Sequence, residues 1–165
     1  MKTNKLLNPL SLFFAGLFLG ALSRLFDMYY PNLGEIFSQM SVWILLGTLI
    51  AIYSPTKKVA MRNILPFCIG MLLTYYATAM LTQGVYGWTF IIGWTIFAFL
   101  SPIMAYFAWM TKQRGLFSKA IGAGIVLVSI LSSVLLFDRL RLYDFVIDGM
   151  LIYFVFFKRI DRHES

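Results

Sequence analysis

Six runs of apolar residues, each about the length of a membrane-crossing helix, constrain this chain more than any other feature. A helix crosses the hydrocarbon core of a bilayer with about 20 residues, within a range of about 17 to 25. The runs cover 6–26, 37–54, 64–82, 88–110, 119–137 and 142–157. Because the last run is short, we expect it to begin earlier or to thin the bilayer locally. The pattern predicts an all-α, polytopic membrane helix bundle of six transmembrane helices, built as a single integral membrane domain over 1–165.

Composition excludes the other classes of protein. Hydrophobic residues make up 60% of the chain and charged residues 13%, whereas soluble domains have about 25% charged residues. A soluble domain this apolar would expose too much hydrocarbon, and disorder requires low hydrophobicity. The single cysteine, Cys68, lies in an apolar run, and the single histidine, His163, follows the last run. We therefore expect no intrachain disulfide and no metal site.

Lysine and arginine residues lie mostly on one side of the predicted topology. Of 14 such residues, 11 precede the first run, follow the last run or lie between runs two and three or four and five, namely Lys2, Lys5, Lys57, Lys58, Arg62, Lys112, Arg114, Lys119, Lys158, Arg159 and Arg162. Cationic loops are retained in the cytoplasm. This pattern predicts a protein of the cell (cytoplasmic) membrane with both termini cytoplasmic. The net charge of +7 then reflects topology and contact with the lipid bilayer, and we expect no nucleic-acid partner.

A few charged residues within or beside the apolar runs are the candidate functional groups, because charge in hydrocarbon is costly. Asp144 and Asp148 lie one helical turn apart in the last run and share a face. Asp148 needs either a proton or a partner from another helix. Arg24, at similar depth in the first run, is the first candidate partner, and Arg139 and Arg141 are the alternatives.

Two interpretations of this charged region stay open. In the first, a polar pocket faces the outside, is covered by the loop over 27–37 and takes a small solute. In the second, an ion pair between the first and last spans only stabilises the bundle. The candidate pocket residues are Arg24, Asp27, Arg141, Asp144, Asp148, Thr74 and Thr78, of which the two threonines share one face of the third run.

Small residues indicate where the predicted helices pack closely. Gly16 and Gly20 form a GxxxG pair on the face of the first run that also carries Arg24. Gly122 and Gly124 lie in the fifth run among several serines. We expect these four glycines to lie at helix contacts.

Two prolines lie within the apolar runs. Pro66 is expected in the first turn of the third span, where proline is tolerated. Pro102 is expected to kink the fourth span, with the neighbouring Ser101 bonding a carbonyl group that the proline frees.

Catalytic motifs are absent from the sequence. It contains no zinc-protease helix motif, no nucleophile elbow, no phosphate-binding glycine loop and no Cys–His pair. Asp144 and Asp148 are a carboxylate pair of a type used in acid–base or metal-assisted chemistry, but their spacing is common to many helices. We expect no enzymatic activity and no cofactor.

The overall layout resembles the S-components of energy-coupling-factor vitamin transporters. The features that this sequence would share with that family are six spans, cytoplasmic termini, a longer first outer loop and polar groups near the outer face. The resemblance covers the whole chain and is architectural; its one motif is Gly16 with Gly20, similar to the small-residue face on which that family docks its coupling subunit. It implies that the loop over 27–37 is a substrate lid and that a coupling subunit with an ATPase is a partner. A homo-oligomer is the alternative, and the layout is also typical of other small six-span bacterial membrane proteins.

Together these features predict a multi-pass protein that binds or transports a small solute through a polar pocket near the outer face. The alternative is a nonenzymatic accessory or assembly subunit of a membrane complex, in which the buried charges are purely structural.

Overall fold

The computed structural model describes residues 7–82, 87–137 and 140–160, and within these ranges every regular element is helical. The predicted all-α class is confirmed. The helices are α1 (Pro9–Tyr29), α2 (Pro31–Phe37), α3 (Met40–Tyr53), α4 (Lys57–Leu81), α5 (Trp88–Met110), α6 (Leu116–Phe137) and α7 (Leu142–Ile152), which continues into a π-helical segment, Tyr153–Phe157. Several residues used above for topology or pairing, namely Lys2, Lys5, Arg139, Arg162 and His163, lie outside the described residues.

Four helices, α1, α4, α5 and α6, are long and apolar enough to cross a membrane. Helices α2 and α3 meet at a bend of 53° and form a fifth candidate span if they are taken as one broken helix. Large apolar side chains point away from the bundle; Phe18 and Phe99, for example, are 66% and 67% exposed. Apolar surface of this extent is typical of helices that face lipid. The fold is therefore that of a membrane-embedded helix bundle.

Several helix ends differ from the predicted spans by up to three residues, and the second and third runs differ in ways that have a structural cause. The second run yields α3, of only 14 residues, because the chain bends at Ser38 and Gln39 and the preceding segment forms α2. The third run begins earlier than predicted, at Lys57, because the Thr56 side chain accepts a hydrogen bond from the backbone N–H of Val59 and caps the helix. Pro66 consequently lies inside α4 and not in its first turn.

Pro102 lies inside α5 as predicted. Proline has no backbone N–H, so the carbonyl group of Ala98, four residues earlier, loses its usual donor. The Ser101 hydroxyl donates to that carbonyl oxygen at 2.6 Å, which confirms the prediction that Ser101 bonds a freed carbonyl group.

Helix α1 packs along α4 more extensively than any other pair of helices. A Cβ atom built on Gly16 would lie 2.1 Å from the carbonyl oxygen of Phe67, and one on Gly20 would lie 2.1 Å from the carbonyl oxygen of Met71. The Thr74 hydroxyl donates to the carbonyl oxygen of Leu17 across the contact at 2.6 Å. The two backbones therefore approach so closely that only glycine fits on α1.

The other side of the bundle is formed by α3, α6 and α7. Leu45 of α3 packs with Val126 of α6 and with Ile147 and Leu151 of α7 in one buried apolar cluster. A Cβ atom on Gly122 of α6 would lie 2.7 Å from the Val155 side chain, so this glycine is also at a close contact.

The predicted close helix contact at Gly124 is wrong. No atom outside its own helix lies within 4 Å of the Cβ position of this glycine. It lies two residues from Gly122, and positions two apart on a helix point in different directions.

Candidate functional site

A polar cluster lies at the end of the bundle where α1 ends and α3 begins, which we call the Asp27 end. Arg24 and Asp27 of α1 form an ion pair at 3.9 Å. Asp27 also accepts hydrogen bonds from the Tyr75 hydroxyl of α4 at 2.9 Å and from the Ser38 hydroxyl after α2 at 3.2 Å. The Nε atom of Arg24 is buried without a hydrogen-bond partner among the described residues. Asp27 thus connects three segments that meet at this end.

Helix α2 lies directly against this cluster and packs on it. A Cβ atom on Gly34 would lie 2.6 Å from the Cα atom of Asp27, so α2 rests on the backbone of α1. Pro31 occupies the start of α2, a position that favours proline because no N–H is needed there. The segment predicted as a loop and possible lid is therefore a short helix held across the Asp27 end.

Alanine in place of Gly34 is expected to lift α2 from α1, because the added methyl group would overlap the backbone of Asp27. Hydrogen–deuterium exchange of the amides of Pro31–Phe37 should become faster, although alanine alone would strengthen a helix. The matched control is Gly149→Ala in α7, whose Cβ position has no neighbour within 4 Å. Unchanged or slower exchange in Gly34→Ala would show that α2 is not held by this contact.

A second contact, an ion pair, joins α2 to the beginning of α7. Arg141 forms an ion pair with Glu35 of α2 at 2.5 Å, and its guanidinium group also donates to the Tyr143 hydroxyl. Tyr143 and, to a smaller degree, Glu35 raise the pKa of Arg141 above its ordinary value, so the guanidinium stays charged. The Gly34 contact and this ion pair thus join α2 to α1 and to α7. The ion pair is solvent-accessible at Glu35, which is 44% exposed, and such pairs contribute little to stability.

A pocket of about 210 Å³ opens beside Asp27. Its walls come from α1, the end of α2, α3, α4 and α5, and consist of Ser23, Phe37, Ser38, Trp43, Met71, Leu72, Tyr75, Tyr76 and Trp94. Two of these, Ser38 and Tyr75, are the residues that hydrogen-bond to Asp27. The pocket thus combines aromatic walls with hydroxyl groups that are oriented by a charged pair behind them. We call it the aromatic pocket.

The structure does not bring Arg24 to Asp148. The ion pair that Arg24 makes is with Asp27 on its own helix, whereas α7 packs against α3 and α6. Asp148 accepts a hydrogen bond from the Ser129 hydroxyl at 2.6 Å. The predicted Arg24–Asp148 ion pair is therefore wrong, because similar depth in the membrane does not specify which helices are neighbours.

The two aspartates of α7 form a separate polar cluster with α6. Asp144 accepts a hydrogen bond from the backbone N–H of Arg141 at 2.8 Å, which caps α7, and lies 3.4 Å from the Ser133 hydroxyl. Asp144 is completely buried and Asp148 is 6% exposed. Among the described residues, no cationic side chain lies within ion-pair distance of either carboxylate.

The two threonines of α4 do not line either of the cavities described here. Thr74 bonds the carbonyl oxygens of Leu17 and Gly70, so it joins α1 to α4. Thr78 is half-buried one turn further along α4, and its carbonyl oxygen accepts from the Thr82 hydroxyl.

Sequence reasoning overlooked most of the residues that surround these clusters. Tyr75, Trp94 and Ser38 were not among the candidates, although Tyr75 lies next to Thr74 in a run of polar residues in an apolar segment. Ser129 and Ser133 are among the serines of the fifth run, which the sequence marks only as small residues near a helix contact. Their spacing of four residues matches that of the two aspartates, and this match is the signal that pairs the two helices.

A larger cavity of about 410 Å³ lies between α3, α4, α5 and α6 and is lined mostly by apolar side chains. Its polar contributions are limited to Thr48, Cys68 and Ser101. Trp43 borders both cavities. With no charged group in its wall, this cavity offers shape but little chemistry for recognising a polar solute.

Comparison with known proteins assigns the chain to a family. A model of a family of unknown function, DUF6518, matches residues 2–139. The chain belongs to DUF6518. The DUF6518 match includes α1 to α6, and therefore the whole aromatic pocket, and ends before α7 with Asp144 and Asp148. No curated protein and no solved structure matches the chain. The expected relationship to energy-coupling-factor S-components is thus not supported by these comparisons.

Proposed function

We propose that the protein is a multi-pass protein of the cytoplasmic membrane, with both termini cytoplasmic, that binds a small solute in the aromatic pocket and moves it across the membrane. The observation that carries this proposal is the wall of the pocket. Ser38 and Tyr75 line it and are hydrogen-bonded to Asp27, which is in turn paired with Arg24. The outward orientation of this end is supported by the side on which the cationic loops lie.

The chemistry of the pocket favours a small, flat and uncharged solute. Phe37, Trp43 and Trp94 supply aromatic faces, which stack on planar rings. Because Arg24 balances the charge of Asp27, the wall presents hydroxyl groups and little net charge. A volume of about 210 Å³ suits a molecule of one ring, since an engineered cavity of about 150 Å³ binds benzene.

Helix α2 is suited to act as the lid of this pocket. Its last residue, Phe37, and the following Ser38 are part of the wall. It is joined to the rest of the bundle by Gly34 against Asp27 and by the exposed Arg141–Glu35 pair. The Arg141–Glu35 pair, exposed at Glu35, is of a kind weak enough to break and re-form as a lid opens and closes.

Binding of neutral single-ring solutes to the purified full chain in lipid nanodiscs tests the proposal. Nicotinamide, thymine and benzamide, each radiolabelled, are the probes for equilibrium dialysis. We expect at least one to bind, and Trp94→Ala to weaken its binding about tenfold, since stacking and apolar burial together contribute over 1 kcal/mol.

The matched control for that experiment is Trp88→Ala. Trp88 lies in the first turn of the same helix, is 76% exposed and is not part of the pocket, so its loss should leave binding unchanged. Absence of binding by all three probes at millimolar concentration, or equal loss in both variants, would contradict the proposal. It would then favour the alternative of an accessory subunit with structural charges.

A coupling subunit would have to bind a surface other than the Gly16 and Gly20 face of α1, which is the face that the resemblance implied. Gly16 and Gly20 are buried against α4, so that face of α1 is covered within the chain. The opposite face of α1, with Phe14 and Phe18 exposed, is the surface of this helix that lipid or a partner helix would meet.

A further inference from the structure

The apolar cavity of about 410 Å³ between α3, α4, α5 and α6 opens sideways between α5 and α6. Its lining residues on α3 and α4 are all buried or half-buried. Four lining residues are exposed, and all of them lie on α5 or α6, namely Met104, Phe107, Gly124 and Val128. Because exposed apolar residues on such spans face lipid, the side opening that these four residues border leads into the hydrocarbon of the bilayer.

Gly124 keeps this side opening wide. No atom outside its own helix lies within 4 Å of its Cβ position, so helix packing does not require glycine there. Glycine in the middle of a helix also costs stability relative to alanine. Because Gly124 lies one turn before Val128 on the same face of α6, a larger side chain at this position would narrow the passage between α5 and α6.

The wall and the volume of the cavity suit one hydrocarbon chain. Thr48, Cys68 and Ser101 supply the polar side chains of the wall, which are too few to bond the water molecules that such a volume would hold. An engineered cavity of about 150 Å³ takes benzene, so about 410 Å³ corresponds on the same scale to about 16 carbon atoms. Along α5 the wall runs from Phe97 to Ala108, which is about 17 Å at about 1.5 Å per residue. An acyl chain of a membrane lipid has these dimensions.

The side opening lies mainly in the leaflet on the side of the connection between α5 and α6. At about 1.5 Å per residue, Phe107 lies about 5 Å from the end of α5 at Met110, and Val128 lies about 18 Å from the start of α6 at Leu116. One leaflet supplies about 15 Å of hydrocarbon. A lipid whose chain enters the cavity therefore has its headgroup beside this connection.

Cationic side chains lie near the place of that headgroup. The connection carries Arg114 and the start of α6 carries Lys119, and both are exposed. Neither forms an ion pair with a described residue, whereas Lys112 in the same connection is bonded to backbone carbonyl oxygens. Arginine and lysine bind phosphate groups, and cations beside a membrane span attract anionic lipids. The charge at this end thus complements an anionic headgroup.

We propose that the cavity binds one acyl chain of an anionic phospholipid, which enters through the side opening and leaves its phosphate group beside Arg114 and Lys119. An opening that faces hydrocarbon favours a lipid over a water-soluble solute. A helix of a second copy is about 10 Å across, too wide for a cavity that holds about 410 Å³ over a length of about 17 Å. The proposal goes beyond the aromatic pocket and does not depend on it.

Native mass spectrometry of the purified full chain in detergent tests this site, with palmitoyl-oleoyl phosphatidylglycerol as the anionic probe and the matching phosphatidylcholine as the neutral one. We expect one phosphatidylglycerol to bind per chain, more tightly than phosphatidylcholine. Val128→Trp should weaken this binding at least about tenfold, because the indole ring fills the side opening and the exclusion of two methylene groups alone accounts for about that factor.

Leu127→Trp is the matched control. Leu127 is adjacent to Val128 and equally exposed, at 56% against 55%, but it does not line the cavity, so lipid binding should be unchanged. Gly124→Leu, with Gly93→Leu as its control, is a second pair that keeps the test valid if a tryptophan variant does not fold. Neither glycine has a neighbour within 4 Å of its Cβ position, and of the two only Gly124 lines the cavity.

The preference for an anionic headgroup is tested by Arg114→Gln combined with Lys119→Gln, which should make the two lipids bind alike. Its control, Lys58→Gln combined with Arg62→Gln, removes the same charge from exposed positions of α4 and should keep the preference. The proposal is overturned by equal binding of the two lipids to the unmodified protein, by equal lipid affinity in both members of a folded pair, or by equal loss of preference in the two double variants. Solute binding is not measured, so failure here leaves the aromatic pocket untouched.

Discussion

Replacing Gly16 and Gly20 together by alanine is expected to lower the free energy of unfolding by at least about 3 kcal/mol, the upper end for overpacked sites. Each new methyl group would lie 2.1 Å from a carbonyl oxygen of α4, where an ordinary carbon–oxygen contact is about 3.3–3.6 Å. The oxygens belong to the helix backbone and cannot rotate away. Helices α1 and α4 must therefore separate, which also breaks the Thr74–Leu17 hydrogen bond.

The yield of monodisperse protein and its thermal unfolding in detergent measure this effect. Gly124→Ala is the matched control, because its Cβ position is free within 4 Å and alanine strengthens a helix by about 0.5–1 kcal/mol relative to glycine. We expect the control to be as stable as the unmodified protein. Equal stability of the Gly16/Gly20 variant and the control would mean that α1 and α4 are not packed as described.

Lys112→Met is expected to destabilise the chain by about 2 kcal/mol, the scale of hydrogen bonds made by a charged group. The ammonium group of Lys112, just after α5, donates to the carbonyl oxygens of Phe154, Val155 and Lys158. These carbonyls lie at the end of the π-helical segment, where the last turn of a helix lacks internal donors and carries partial negative charge. Methionine keeps the length and apolar stem of the side chain but removes all three donors.

Local exchange of amides in Tyr153–Phe157 and the melting temperature together measure this effect. Lys58→Met is the control, since Lys58 also lies in a connection rich in cations but is exposed at the start of α4. We expect faster exchange in the π-helical segment for Lys112→Met alone. If both variants behave alike, Lys112 contributes only to the net charge of its loop, which is the role that the sequence suggested.

Local sequence patterns predicted the helices well where length and hydropathy decide. The runs over 88–110 and 119–137 match α5 and α6 to within three residues at each end, because continuous apolar stretches of this length have no other stable form in a bilayer. The same reasoning failed over 27–37. That segment is polar enough to suggest a loop, and it is helical because Pro31 favours a helix start and Gly34 allows the helix to rest on α1.

The candidate site was predicted only in part. Arg24 and Asp27 were identified as unusual charges, and they lie beside the aromatic pocket. Trp94 and Tyr75 could not be identified, because aromatic residues are common throughout these helices and nothing local marks the two that face one cavity. The partner of Asp148 was also misjudged, since the chain contains many serines and the one that bonds it is chosen by the packing of α6 on α7.

By itself, the sequence determined that this protein is surrounded by lipid and that its secondary structure is helical. Apolar runs with few charges can be stable only as helices in hydrocarbon, since each backbone polar group must be bonded within its own segment. Which helices become neighbours was decided only by the tertiary structure. In a bilayer, lipid and helix are equally apolar, so neighbours are selected by close fit and by polar bonds between helices. Gly16 against Phe67 and Ser129 against Asp148 are contacts of these two kinds, and they divide the charged residues that the sequence placed at one surface into two separate clusters.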